Sequence, residues 1–187
     1  MSARAFYGGR SGYDAQIPAD RGLLAWTQPP HALAGGTAIP TAGLLYLRRV
    51  RRVPAGPVTS IVTHLTTLGV GLTAGQCFAA LYTAGGTLIA QTADQATAWA
   101  SAGLKVMTLT GGPYTVDAGD YYVGFWFNGT TGPAPVRSAS ISALLTNVGL
   151  TAPNLETASA NPGVTTTAPA SLGAQTSQAI EWWFALA

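Results

Sequence analysis

A chain of 187 residues can bury a core without disulfides or a metal, and it has the size of one domain or one domain with arms. Nearly half of the residues are apolar and 9% are charged, which leaves an isolated molecule little colloidal repulsion and points to a life covered by neighbours. The lone Cys77 excludes an intramolecular disulfide, and the expected chain is neither exported by a standard signal nor membrane-spanning, since no continuous apolar leader or run of 18 apolar residues occurs.

Charge is divided along the chain. Residues 1–52 hold seven basic residues against two acids, or +5, and the remainder holds two against five, or −3. Such a molecule can dock by its basic end. Residues 1–22, with Arg4, Arg10, Phe6, Tyr7 and Tyr13 but no period of 2 or 3.6, read as an N-terminal arm able to grip a partner or as a disordered terminus.

From Leu23 to Thr27 a first short strand is expected, ended by Pro29 and Pro30. His31 then lies in a loop with no second ligand at metal-binding spacing, so it reads as a solvated histidine. Leu44 to Arg52 reads as a strand that begins apolar on both faces and ends in arginine on both. At a period of 2, Arg49 and Arg51 share one face, and Arg48 and Arg52 flank Val50 on the other. Such an end cannot sit in a dry core. It is either a docking site for an acidic surface or phosphate, or a solvated strand end that discourages edge-to-edge pairing. Without an aromatic stacking platform it does not suit nucleic acid.

Val58 to Thr66 is β-branched almost throughout, with His64 read as a hydrogen-bonded sheet residue. Gln76 to Thr83 and Thr87 to Thr92, joined across Gly85 and Gly86, predict a hairpin. Asp94 to Ser101 has helical composition, with Asp94 as cap and Trp99 either closing one end of the fold or stacking on a sugar. Lys105 to Val116 reads as a strand interrupted by Gly111, Gly112 and Pro113. Tyr121 to Phe127 is the most apolar strand, with Tyr121, Val123, Phe125 and Phe127 on one face and Tyr122, Gly124 and Trp126 on the other. A further strand is expected within residues 133–145. Residues 146–175 are too long for a hairpin loop and should wrap the sandwich or reach a neighbour. The chain then closes on a strand with Ile180, Trp182, Phe184 and Leu186 on one face and Trp183 on the other.

These elements predict an all-β, antiparallel sandwich over 23–145, with the arm before it and residues 146–187 completing the sandwich or a subunit interface. No nucleophile elbow, phosphate loop, Cys-x-x-Cys or zinc-protease motif occurs, and Asp117 and Asp120 flank a tight turn rather than forming a glycosidase pair. The expectation is no catalytic residue, no cofactor and no metal.

The succession Gly22 to Trp26, Leu44 to Leu47 followed by arginine, Val58 to Thr66, Gly71 to Gln76, Ala80 to Leu88, Thr92 to Trp99 and Ala118 to Val123 resembles the β-sandwich module of minor tail and fibre proteins of tailed phages of actinobacteria. The resemblance covers roughly Gly22 to Ser140. It implies a jelly-roll-like, non-enzymatic virion structural protein that often trimerises, made in the host cytoplasm and carried on the tail or capsid surface. Only a short arm, with no coiled coil or shaft, is expected before the sandwich, which keeps capsid decoration open as an alternative to a tail or fibre role. A carbohydrate-binding receptor module using Trp99 or Trp126 is a further alternative. The expected partners are copies of the chain, meeting through Trp126, Trp182, Trp183 and Phe184, and other virion proteins docked through Arg4, Arg10, Arg48, Arg49, Arg51 and Arg52. A host-surface glycan remains a candidate partner, whereas nucleic acid and membrane are not expected.

Overall fold

The computed structural model describes residues 17–35, 38–138 and 143–187, so Arg4 and Arg10 of the expected arm lie outside the described residues. In chain order the strands are β1 (Ala25–Trp26), β2 (Leu44–Val53), β3 (Gly56–Val58), β4 (Ser60–Thr67), β5 (Val70–Leu72), β6 (Phe78–Thr83), β7 (Leu88–Gln91), β8 (Gly103–Thr108), β9 (Tyr114–Val116), β10 (Gly119–Trp126), β11 (Gly129–Thr131), β12 (Ala134–Pro135), β13 (Thr157–Pro162), β14 (Thr176–Ser177) and β15 (Ala185–Leu186). Two sheets dominate. One runs β1-β15-β4-β12 with β8 also paired to β4, and the other runs β14-β13-β2-β10-β6-β7. Every pairing between these strands is antiparallel, and the chain is an all-β sandwich.

The main core lies between the two sheets, because alternate residues of their central strands point at each other. Ile61, Leu65 and Met107 of the five-stranded sheet meet Val50, Leu81, Val123 and Phe125 of the six-stranded one. Phe125 joins the layers, its ring 5.8 Å from Phe184 and 4.5 Å from Trp99 in a stacked pair. Trp99 ends the short helix α1 (Ala96–Trp99) and is fully buried, so it closes the sandwich and offers no face to a sugar. Asp94 is not its cap; that carboxylate accepts the backbone N–H of Cys77 at 3.1 Å.

A second core covers the opposite face of the six-stranded sheet. Leu155, Ala158, Ala160, Val164 and Ala168, from the long segment after residue 146, pack over Leu45, Tyr82, Tyr122 and Trp126. Gly124 sits in the middle of this contact, where a Cβ would come within 2.9 Å of Leu45 and 3.0 Å of Tyr82. The segment is stitched down by polar groups as well. Buried Asn147 accepts the backbone N–H of Glu156 at 2.7 Å and donates to the Thr157 carbonyl at 2.9 Å, while the Tyr122 hydroxyl donates to the carbonyl of Leu155 at 2.8 Å. The wrap therefore belongs to the fold itself, adding β13 along the edge of β2.

The hairpin of β6 and β7 and the two faces of β10 follow the sequence pattern. Elsewhere the structure differs. Among the described residues of 133–145 the structure has the two-residue β12 and the start of the helical turn α2 (Ala143–Thr146), because Pro133 and Pro135 cannot sustain a ladder. Lys105 to Val116 is not one interrupted strand, since β8 pairs with β4 and β9 with β3. His64 is, as expected, a hydrogen-bonded sheet residue: it pairs with Leu104, its carbonyl accepts the Val136 N–H at 2.7 Å, and its side chain is exposed.

Candidate partner-docking site

The arginine end of β2 is neither a bare solvated end nor a fully open docking patch. Its geometry starts with a bulge: Val50 pairs with Tyr121 and Val53 with Gly119, so β2 carries one more residue than β10 over that span. Arg52 takes up the extra residue in a left-handed conformation, φ 53°, which costs roughly 1–2 kcal/mol for a residue with a Cβ. Two effects offset that cost. Val50 and Val53 both reach the core, which strict alternation would forbid, and the Asp120 carboxylate accepts the Arg52 backbone N–H at 2.9 Å.

Two carboxylates organise the four guanidiniums. Asp120, at the start of β10, pairs with Arg49 at 2.9 Å and lies 3.9 Å from Arg51. Glu156, from the wrapping segment, pairs with Arg48 at 3.3 Å and with Arg51 at 2.6 Å. The Glu156 backbone carbonyl also accepts from Arg48 Nη1 at 3.1 Å and from the Arg49 backbone N–H at 3.0 Å. Arg49 additionally lies over the Tyr122 ring, 5.7 Å from its centroid.

Burial separates the four. The Arg48 side chain is 5% exposed, and burial pulls its guanidinium below the ordinary value against the opposing pull of Glu156 and Glu181. Arg49 is 13% exposed, whereas Arg51 is 46% exposed and Arg52 is exposed. The hydrogen bond to Glu156 holds Arg51 above its ordinary value. Within the chain Arg48 and Arg49 bolt the wrapping segment and β10 to β2, and of the four expected docking arginines Arg51 and Arg52 are the two that are exposed. The reason is that Glu156 returns to β2 from more than a hundred residues away.

Arg51, Arg52 and Asp120 form one wall of a groove of about 800 Å³. The chain from Leu24 to Pro29 lines it without a break, Ile17, Pro18 and Ala19 complete the lining, and Leu24, Trp26, Pro29 and Pro54 make it partly apolar. Gln28 lies in it, its side-chain oxygen accepting from Arg48 Nη2 at 2.9 Å. The buried Gln28 Nε2 and Arg48 Nε have no acceptor among the described residues. Donors thus outnumber acceptors here, and four guanidiniums face two carboxylates.

Trp126, Trp182, Trp183 and Phe184, the expected self-association residues, are covered by the chain itself. They are 0%, 2%, 7% and 1% exposed within a single chain. Trp126 donates to the Thr165 carbonyl at 3.0 Å under the wrap, and Trp183 donates to the Gln28 carbonyl at 2.9 Å. Their apolar surface is buried inside the fold. Exposed apolar side chains occur instead on β8, where Leu104 is 64% and Val106 60% exposed. Cys77 is buried, and burial pushes its thiol up to about 11.

Sequence reasoning missed Glu156, Gln28 and Trp26. Asp120 carried a signal, an acid heading the most apolar strand, but it was read as a turn residue. Among the described residues no group of three or more His, Cys, Asp or Glu side chains is gathered to hold a metal ion, and no helix is long and apolar enough to cross a membrane. Comparison with family models, curated proteins and solved structures finds no match.

Proposed function

We propose that the chain is a non-enzymatic structural protein of a tailed-phage virion, a minor tail or fibre component held to other virion proteins by its basic end. The observation that carries this reading is the net-positive arginine cluster beside an open apolar groove, at one end of a sandwich whose large aromatics are already buried. A rigid β body with a charged docking end suits a part whose work is to be placed and oriented. The turn-and-strand resemblance from Gly22 to Ser140 supports the virion context. Burial of Trp99 and Trp126 removes the footing of the glycan-binding alternative. For self-association into a trimer, the exposed Leu104 and Val106 of β8 offer apolar surface that the buried tryptophans do not.

Reconstruction of purified particles from an infected host, with mass spectrometry to count the chain, tests this. The tail tip or tail tube is the expected location. Density around the capsid would replace the tail role with shell decoration, and absence from particles would overturn the virion reading.

A further inference from the structure

The geometry points to the groove between β1 and the arginine end of β2 as the seat of an extended, acidic and apolar peptide segment of another protein. This deepens the docking role proposed above and rests on it for its biological setting.

The form of the occupant follows from the run of chain that lines the groove. Leu24 to Pro29 line the groove consecutively, and β1 is an edge strand paired only with β15 among the described residues. A chain laid along such an edge is extended, with alternate side chains facing the protein. Apolar side chains match Leu24, Trp26, Pro29 and Pro54, and carboxylates match Arg51 and Arg52, the two guanidiniums of the cluster that reach solvent. Arginine holds a carboxylate bidentately through its planar fork.

Charge also selects the source. The segment preceding Ile17 carries Arg4 and Arg10 against Asp14, the wrong sign for this wall. A second copy has few carboxylates to offer: Asp120 and Glu156 hold arginines, Glu181 takes the Ser138 hydroxyl, Asp94 the Cys77 N–H and Asp20 the Ile17 N–H, which leaves exposed Asp117 alone on a tight turn, without the alternating acids an extended segment would need. Charge therefore favours a different protein as the source of the acid. A nucleic-acid backbone fits less well, since two exposed cations of the cluster stand beside the Asp120 carboxylate and an apolar side.

Titrating the purified full chain with a fluorescent decapeptide of alternating aspartate and leucine, and with its asparagine–leucine counterpart, tests the inference. The aspartate peptide should bind about tenfold or more tightly than the asparagine one, and raised salt should erase the difference. The double variant Arg51→Gln, Arg52→Asn should lose that preference with a melting temperature within a few degrees of the unaltered chain, because both residues are exposed and asparagine tolerates positive φ. Equal binding of both peptides, no binding of either at about 1 mM, or an unaffected variant would overturn the groove assignment. So would a chain lacking residues 1–16 that binds the peptide much more tightly, which would make the arm the occupant. The virion reading fails separately: a chain missing from particles that still prefers the aspartate peptide keeps the groove and loses the setting, whereas a chain present in particles that ignores both peptides does the reverse.

Discussion

The two outer faces of the sandwich are treated differently. The six-stranded sheet is roofed by the segment after residue 146, which buries Tyr82, Tyr122 and Trp126 and fixes its near edge with Asn147 and Glu156. The five-stranded sheet has a smaller cluster of Val62, Trp183 and Ala185 at one side and leaves Leu104 and Val106 of β8 in solvent. The contrast explains why the arginine strand is mostly internal. A roof that returns to β2 needs an anchor there, and Arg48 and Arg49 provide it, leaving Arg51 and Arg52 at the margin where fold and surface meet.

The largest expected effect separates the two faces. Trp126→Ala should cost about 3–5 kcal/mol in chemical denaturation and speed hydrogen exchange of β13, because it empties the second core. Leu104→Ser with Val106→Ser should stay within about 0.5 kcal/mol, as exposed positions do. Comparable losses at both sites would show that β8 is not free.

Next comes the anchor. Glu156→Gln leaves the Arg48 guanidinium buried beside a neutral partner, and a loss of about 3 kcal/mol is expected from equilibrium unfolding. The same test on Arg51→Gln should read at most about 1 kcal/mol, since that side chain is half exposed.

A smaller, pH-dependent effect concerns the core beneath both faces. Burial raises Cys77 from 9.0 to about 11 and also raises Tyr82 and Tyr122, so the folded state holds these protons more tightly than the unfolded chain does. Their contribution is complete below the unfolded values and fades as pH rises through the folded ones. Melting temperature should fall between pH 9 and 11, and less steeply in Cys77→Ala. A flat profile would contradict the sign.

Period-2 patterning was enough to read β10, whose Tyr121, Val123 and Phe125 enter one core while Tyr122 and Trp126 enter the other, and Gly85 with Gly86 marked the β6–β7 hairpin. The roof was legible as a long wrapping segment, but its partner was not, since Leu155, Val164 and Ala168 have no period to show which face they cover. Trp126 and Trp183 consequently looked like surface anchors. The arginine end misled for a related reason: a local pattern cannot reveal a Glu156 contact made across more than a hundred residues, or a bulge at Arg52 that returns Val53 to the core.

The most direct test of the central claim, that the arginine strand is divided between an internal anchor and an external docking point, is the occupancy of the Arg51→Gln, Arg52→Asn chain on purified particles at low salt. The account predicts a folded variant whose occupancy falls well below that of the unaltered chain, with raised salt reproducing the loss in the latter. Full occupancy of the double variant would contradict it and return Arg51 and Arg52 to the role of a solvated strand end.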